Sequence, residues 1–380
     1  MTGGRRNPTL RSLDALADAG LISAADVSAL ARVEDSYAIA LSPIVADLVR
    51  AEQVNQHGDH ASPGPIARQY LPDTRELNVR DDERADPIGD AAHSPVPHIV
   101  HRYHDRALLK PVSVCPVYCR FCFRREAVGP GKSAPARSAE LDAAFDYVAS
   151  HPEIWEVIVT GGDPLVLSAA KIAEIGTRLS RIDHVKVIRW HTRVPVAAPD
   201  MVTDKVAAAL AVPLAADRMV YASIHTNHAT ELTASADTAI RRMRSVGLVL
   251  VSQTVLLRGV NDTAEALAAL MRGLVQRGVK PYYLHQLDRA PGTSHFEVPL
   301  DEARALVQQL RGDLSGLCQP TFVIDIPGGE GKALAANSDV ATGGDLADES
   351  SDAADALVRG RDGRWHRYRT VRAEDERDLE

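Results

Sequence analysis

Short β-type runs alternate with helical patterns from about residue 100 onward, and this alternation constrains the fold more than any other feature. Strands separated by helices of about 10–15 residues are typical of βα units around a parallel sheet. The strands are expected at 112–114, 156–160, 185–190, 219–225, 248–256, 282–285 and 321–325. The helices are expected at 141–150, 168–181, 200–211, 236–246, 263–277 and 301–310. The order predicts an α/β fold, a partial (βα)6-type TIM-like barrel whose chemistry gathers at the carboxyl ends of the strands.

Two further segments flank this barrel, which we assign to residues 96–335. Residues 1–95 are expected to form a helical N-terminal region and a linker, with helices within 8–60 and an extended path over 61–98, which is rich in Pro, Asp and Arg. Residues 336–380 are expected to form a tail with a hairpin that turns at Asp362–Gly363.

Composition narrows the class of protein. Apolar residues make up 45% and charged residues 25% of the 380-residue chain, as in ordinary soluble globular proteins. The net charge of −8 argues against nucleic acid as a partner. No apolar run approaches the roughly 18 residues of a membrane helix, and the polar N-terminus does not resemble a secretory signal. We therefore expect a cytoplasmic protein without a membrane partner.

Three of the four cysteines stand together as C-x3-C-x2-C at Cys115, Cys119 and Cys122, just after the first predicted strand. Three thiolates can hold a [4Fe–4S] cluster and leave its fourth iron open for chemistry. A zinc site with His101 or His104 as the fourth ligand is the main alternative, and a disulfide with one spare thiol is disfavoured because nothing suggests export.

A second constellation is the glycine-rich segment FVIDIPGGEGKALA, in which Lys332 follows the glycines. The spacing is not that of a phosphate-binding P-loop, since Ala333 follows the lysine. A solvated or phosphate-contacting lysine and a Schiff-base lysine for pyridoxal phosphate (PLP) both remain open on this motif alone.

Together these motifs resemble the lysine 2,3-aminomutases, which are radical S-adenosylmethionine (SAM) enzymes that also use PLP. The resemblance extends from about residue 96 to 335. It rests on the segments HRYHDRALL, CPVYCRFCFRR, VTGGDPLVLS, HTRVPV, HTNHATE, QTVLLRGVND, PYYLHQLD, GTSHF and VIDIPGGEGK. The resemblance implies the barrel of the radical SAM superfamily, and an isomerase that moves the α-amino group of an amino acid to its β-carbon.

The resemblance also implies residue roles for the cofactors. The three cysteines would ligate the cluster, whose open iron binds SAM, and Lys332 would carry PLP. Residues that would contact SAM or PLP are Gly161, Gly162 and Asp163 for SAM, and Arg102, Tyr103, Arg106 and Gln253 for PLP. Taken by motif alone, the glycines also fit a plain strand-to-helix turn, and the arginines also fit a solvated surface.

For the substrate, the resemblance assigns Arg124 to the amino-acid carboxylate and Asp288 and Asp325 to the distal ammonium of lysine. Two neighbouring carboxylates repel each other unless a cation lies between them, so the pair favours a cationic substrate. A solvated loop aspartate is the ordinary alternative for Asp288. An arginine substrate is harder to exclude, because a guanidinium is also a cation.

The chain departs from the long-form members of that family, which hold a structural zinc through a cysteine in the GVND region and a C-terminal cysteine cluster. Here Thr263 follows GVND and no cysteine follows Cys318, so no structural zinc is expected. The shorter relatives that supply β-lysine for elongation factor P also lack zinc, and that role stays open. An electron donor such as flavodoxin or ferredoxin is expected, and formation of a homo-oligomer is left open. A different radical SAM reaction and an iron–sulfur redox sensor are the alternative functions.

Overall fold

The structure, a computed structural model, describes residues 8–55, 63–131 and 137–336, together with the backbone of 340–341, 355–359 and 365–369. In the described part of the chain, no helix is both long and apolar enough to cross a membrane.

Nine strands form one sheet in which chain order and spatial order coincide. The strands of this sheet are β1 (Ile99–Tyr103), β2 (Arg106–Val112), β3 (Glu156–Gly161), β4 (Val187–Thr192), β5 (Met219–His225), β6 (Val249–Val255), β7 (Lys280–His285), β8 (Thr321–Ile326) and β9 (Gly331–Leu334). Strands β2 to β8 are all parallel, whereas β1 and β9 pair antiparallel at the two edges. Residues from all nine strands line one cavity, so the sheet curves into an arc.

Helices connect the parallel strands on the outside of this arc. They are α5 (Ser138–Ala149), α6 (Ala169–Ser180), α7 (Val194–Ala197), α8 (Asp204–Leu210), α9 (Ala234–Ser245), α10 (Ala264–Gln276) and α11 (Leu300–Asp313). The central strands are buried over most of their length, as parallel strands covered on both faces must be. Six βα units therefore precede the last parallel strand, and the predicted partial barrel is confirmed.

Two details of the strand predictions were wrong. The first barrel strand is Arg106–Val112 and not 112–114, because the segment 113–114 already belongs to the turn that carries the cysteines. This strand contains Pro111, which has no N–H to donate, and its pairing register with β3 shifts between Leu109 and Val112. The antiparallel edge strands β1 and β9 were not predicted.

The N-terminal region contains α1 (Leu13–Asp18), α2 (Ala24–Ser36), α3 (Pro43–Asn55) and α4 (Pro65–Tyr70). The last of these corrects the expectation of an extended path over 61–98, since Pro65 stands in the first helical turn, where its missing N–H costs nothing. Two 3-10 turns, Thr74–Leu77 and Ala91–His93, follow. The helices share an apolar core with Val117 of the cysteine turn and Ala197 of α7.

The tail forms a separate antiparallel sheet of β10 (Val340–Ala341), β11 (Asp355–Arg359) and β12 (Trp365–Arg369). In this sheet Arg359 lies opposite Trp365. The predicted turn at Asp362–Gly363 itself lies outside the described residues.

Candidate active site

One cavity of about 380 Å³ lies inside the arc of the sheet. This volume is within the range of about 300–1,000 Å³ that small-molecule sites occupy. The cavity is lined by every residue that the sequence proposed for the site: Arg102, Tyr103, Arg106, Cys115, Cys119, Cys122, Arg124, Gly161, Gly162, Asp163, Gln253, Asp288, Asp325 and Lys332. Residues that are up to 230 positions apart in the sequence are thus brought to a single site by the parallel topology.

The three cysteines lie on the turn that follows β2, and all three thiols are free and partly buried. Burial raises the pKa of each thiol above its ordinary value, and that of Cys119 reaches about 11 although the nearby Arg193 cation opposes the effect. A thiol binds metal as the thiolate, so metal binding by these three cysteines would release their protons to solvent.

Backbone hydrogen bonds attach the cysteine turn to the N-terminal region. The N–H of Tyr118 donates to the carbonyl of Ala40 at 3.1 Å, and that of Arg120 donates to the carbonyl of Gln69 at 2.8 Å. The turn is therefore held from outside the barrel as well as by β2.

The three thiols are compatible with a multi-iron cluster. Within the described ranges, no three His, Cys, Asp or Glu side chains converge in the way a mononuclear metal site needs. In a [4Fe–4S] cluster each thiolate binds a different iron, so convergence on one point is not required. His101 does not line the cavity, and its Nδ1 lies 2.9 Å from the hydroxyl of Tyr147, which disfavours it as a fourth ligand.

The glycine pair after β3 is required by close backbone packing. A Cβ on Gly161, whose φ is +112°, would lie 2.4 Å from the carbonyl oxygen of Val112, and one on Gly162 would lie 2.3 Å from that of Val114. The N–H of Gly162 donates to the carbonyl of Val112 at 2.7 Å. The glycines thus hold β3 against the segment that leads into Cys115, and this contact explains them independently of any bound SAM.

Asp163 organises the next turn from a fully buried position. Its carboxylate accepts a hydrogen bond from the Thr192 hydroxyl at 2.8 Å, and others from the N–H groups of Leu165 at 3.0 Å and Arg193 at 2.7 Å. Burial raises the pKa of Asp163, and these hydrogen bonds oppose that rise. Its described contacts are structural and tie the ends of β3 and β4 together.

Lys332 and Asp325 face each other across the β8–β9 hairpin. They are a directly opposed pair in its register, so their side chains project from the same face. The ammonium nitrogen of Lys332 lies 2.7 Å from Oδ1 of Asp325. The hairpin loop contains Gly328 and Gly329, both with φ in the left-handed region at +94° and +99°.

The second acid, Asp288, lies beside this pair on the loop after β7. Burial and the negative charge of Asp325 raise the pKa of Asp288 to about 7. Among the described residues, its carboxylate forms no hydrogen bond or ion pair. For Asp325, burial would raise the pKa, but hydrogen bonding to His285 and the Lys332 ammonium lowers it to about 2. The acidic end of the cavity therefore combines a carboxylate that Lys332 and His285 stabilise with a carboxyl whose pKa is raised by burial and by its charged neighbour.

Arg124 lines the basic end of the cavity, near enough to Asp288 for its positive charge to lower the pKa of that carboxyl. It is held by Asp90, a residue that the sequence did not single out. Its Nε and Nη2 lie 3.0 and 2.9 Å from Oδ2 of Asp90. Arg102 donates to the other oxygen at 3.1 Å, and Lys110 lies 3.8 Å from Oδ2. Burial would raise the pKa of the Asp90 carboxyl, but the positive charges of Arg124, Lys110 and Arg102 lower it below its ordinary value.

The remaining predicted contacts also have partners within the protein. The hydroxyl of Tyr103 accepts a hydrogen bond from the backbone N–H of Lys332 at 2.8 Å, and the guanidinium of Arg106 lies 3.8 Å above the Tyr103 ring. Nε2 of Gln253 lies 3.4 Å from Nδ1 of His191. Tyr103 therefore positions the Lys332 strand.

Arg193 was also missed as a site residue, although it lies in one of the motifs that carry the resemblance. It is buried and donates to the Tyr70 hydroxyl at 2.6 Å and to carboxylate Oε2 of Glu231 at 2.7 Å, while its Nη1 has no hydrogen-bond partner in the described part of the chain. The sequence signal that could have identified Arg193 is its position directly after a predicted parallel strand. An arginine buried at such a strand end is stable only when an acid pairs with it.

Comparison with known proteins identifies the family to which this chain belongs. A family model described as "4Fe-4S single cluster domain" matches residues 106–194, which include all three clustered cysteines. The L-lysine 2,3-aminomutase of Acetoanaerobium sticklandii is 36% identical over 301 residues, covering 79% of this chain and 70% of that protein. The chain belongs to the L-lysine 2,3-aminomutase family.

Further relatives of this family match over similar spans. The L-lysine 2,3-aminomutase of Escherichia coli K12 is 38% identical over 70% of this chain and 75% of its own length. A putative L-lysine 2,3-aminomutase of Aquifex aeolicus is 35% identical over 79% of this chain and 78% of its own length. Among solved structures, a radical SAM methyltransferase from Sphaerobacter thermophilus covers 60% of this chain and 68% of its own chain, with 18% identity and a TM-score of 0.42. Membership in the lysine 2,3-aminomutase family makes this chain an enzyme of the isomerase class.

Proposed function

We propose that this chain is a PLP-dependent 2,3-aminomutase that converts L-lysine to β-lysine. The observation that carries the substrate assignment is the ion pair between Asp325 and Lys332. A carboxylate of the cavity already receives a primary ammonium on a four-carbon stem at 2.7 Å, and this is the group that a lysine substrate presents at its distal end.

The charge distribution supports the same substrate. At the basic end, Arg124 uses Nε and Nη2 for Asp90, its Nη1 has no hydrogen-bond partner among the described residues, and the guanidinium can bind a carboxylate. At the acidic end, Asp288 and Asp325 can share one cation. An extended diamino acid has a carboxylate at one end, which Arg124 can bind, and an ammonium at the other end, which the two acids can bind.

The cavity residues also fit the cofactors of the family. Cys115, Cys119 and Cys122 would hold a [4Fe–4S] cluster whose open iron takes SAM, and Lys332 would hold PLP. Arg102 suits an anionic group such as the PLP phosphate, because no described residue forms a hydrogen bond with its buried Nε. When bound, the cluster and SAM supply a radical that abstracts hydrogen, and PLP supplies the conjugated system that allows the amino group to move.

In this proposal the residues of the chain position the substrate and exclude water from the reaction centre. Arg124 and the two acids fix both ends of the substrate, so that one β-hydrogen faces the reaction centre. Buried strand residues of the arc keep water from the radical. We further propose a cytoplasmic enzyme reduced by a small electron carrier such as flavodoxin or ferredoxin.

The test is turnover with a panel of amino acids under anaerobic conditions. The reconstituted protein, supplied with SAM, PLP and dithionite, is incubated with lysine, arginine, alanine or glutamate, and isomers are separated by chromatography after derivatisation, since they have equal mass. β-Lysine should form, with far less product from the other three. Preferred turnover of arginine would contradict the lysine assignment, and turnover without PLP would contradict the cofactor assignment.

A further inference from the structure

A buried carboxylate outside the cavity joins the cysteine turn to the N-terminal region. Glu76 is fully buried and accepts hydrogen bonds from Arg120 Nε at 2.9 Å and Arg120 Nη2 at 2.6 Å, and a further short one from Arg125 Nη2. Both arginines belong to the cysteine segment CRFCFRR. We call Glu76, Arg120 and Arg125 the Glu76 hub.

Arg125 extends this hub to the loop that carries Asp288. Its Nη1 donates to the carbonyl oxygens of Pro291 and Gly292, at 3.3 Å each, and to that of Arg120 at 3.0 Å. The ring of Tyr37 lies 3.4 Å from the guanidinium carbon and closes the other side. One planar fork thus connects the cysteine turn with the loop after β7, which a single-point ammonium could not do.

The loop after β7 packs closely against the backbone of Glu76 in the hub. Gly292 has a φ of +70°, and a Cβ there would lie 2.1 Å from the carbonyl oxygen of Glu76. Its N–H is held by the carboxylate of Glu83 at 2.8 Å. The loop after β7 therefore has one position relative to the hub.

The two ends of the proposed substrate are attached to this connection. Arg124, at the carboxylate end, directly precedes Arg125, and Asp288, at the ammonium end, lies three residues before Pro291. A change in the Arg125 contacts would therefore move the two ends relative to each other.

We infer that the Glu76 hub sets the distance between Arg124 and Asp288, and so selects the chain length of the diamino acid. Arg125 is in this respect a positioning residue, since it lines no part of the cavity itself. The inference rests on the proposed function, because it presumes a substrate held at both ends.

The experiment compares L-lysine with L-ornithine, which is one methylene shorter, in the reconstituted wild type and in Arg125→Lys. The lysine side chain keeps the charge opposite Glu76 but cannot reach the three carbonyl oxygens together. We expect the ratio of kcat/KM for lysine over ornithine to fall at least about tenfold, since one methylene is worth roughly 10–200-fold in a fixed pocket. The matched control is Arg289→Lys, an exposed arginine of the same loop that pairs with Asp82, and its ratio should equal that of the wild type.

A readout independent of turnover separates positioning from general damage. The electron paramagnetic resonance spectrum of the reduced cluster, with and without SAM, should be the same in Arg125→Lys and the wild type. Equal losses for both substrates, or an altered spectrum with an unchanged ratio, would overturn the inference. Should Arg125→Lys not fold, Tyr37→Leu, which removes the ring beside the guanidinium, must lower the ratio instead. A wild type that turns over neither diamino acid would refute the proposed function, whereas an unchanged ratio in both variants refutes only the inference.

Discussion

The ion pair between Lys332 and Asp325 predicts that the protein without PLP blocks its own cation site. In this state the Lys332 ammonium pairs with Asp325, the carboxylate that we propose receives the distal ammonium of the substrate. Replacing Lys332 by alanine should therefore increase the affinity of the PLP-free protein for a free diamine such as 1,5-diaminopentane. The change leaves both acids of the site in place.

The size of the effect follows from the contact that the diamine must displace. The nitrogen–oxygen distance is 2.7 Å, and the side chains of Lys332 and Asp325 are 27% and 5% exposed, so the pair is only partly screened by water. A hydrogen bond to a charged group contributes about 1.5–3 kcal/mol. Since about 1.4 kcal/mol corresponds to a tenfold change in affinity, Lys332→Ala should bind the diamine about 10- to 150-fold more tightly than the wild type.

Isothermal titration calorimetry of the two PLP-free proteins with the diamine at neutral pH measures this difference in affinity. Two controls accompany it. Lys110→Ala removes a cation from the basic end, 3.8 Å from Asp90, and should leave the diamine affinity unchanged. The double variant Lys332→Ala/Asp325→Asn should lose the gained affinity. Equal binding by the wild type and Lys332→Ala would refute the reasoning, because it would mean that the ion pair does not compete with the ligand.

Two further predictions concern charge and stability. Burial and the charge of Asp325 raise the pKa of Asp288 to about 7 while the Lys332 ammonium opposes this rise, so removing Lys332 should raise that pKa further. Because a bound cation prefers the carboxylate form, the diamine affinity of Lys332→Ala should still increase as the pH rises above about 7; the added variant Asp288→Asn, followed by the same titration, should lose this dependence. The same raised pKa means that Asp288 contributes stability below its unfolded value of about 3.9 and that this contribution is lost as the pH rises through about 7. Glu76→Gln leaves two buried arginines without their acid and should lower the free energy of unfolding by about 3–5 kcal/mol in urea titrations. Glu302→Gln, which breaks an exposed pair with Arg258, is the control and should lower it far less.

The sequence was sufficient to predict those parts of the fold that are encoded by short, contiguous stretches of residues. The helices and most barrel strands follow from short periodic patterns, and the cysteine spacing and the lysine after its glycines are contiguous motifs. The first barrel strand was misplaced because Pro111 interrupts its pattern, and the helix at Pro65–Tyr70 was missed because its segment is dominated by turn-forming residues. Local pattern alone cannot detect an edge strand that is defined by its partner.

The acids that hold the arginines of the site could not be predicted for a different reason. Asp90 lies 34 residues before Arg124 in a segment rich in both charges, and Glu76 lies 49 residues before Arg125. Many carboxylates in that segment are equivalent by sequence, and only the folded chain selects the two that are buried against a guanidinium. Buried cations demand paired acids, so such acids should exist, but their positions are a property of the tertiary structure.

The arrangement of charge in the cavity argues against acidic substrates independently of any motif. Arg102, Lys110 and Arg124 surround the single carboxylate of Asp90, so the basic end carries surplus positive charge. The acidic end carries Asp288 and Asp325. Lys332, whose amine is the group that would carry PLP, pairs directly with Asp325, and its positive charge, followed by those of Arg124 and Arg102, lowers the pKa of Asp288. Once that amine is engaged, the two acids repel a second carboxylate and attract an ammonium. A glutamate bound through Arg124 would place its distal carboxylate against them, at a cost of several kcal/mol for like charges in a buried site. The same acids would stabilise the distal ammonium of the proposed lysine substrate, so the polarity of the cavity favours a diamino acid over an acidic one before any detail of shape is considered.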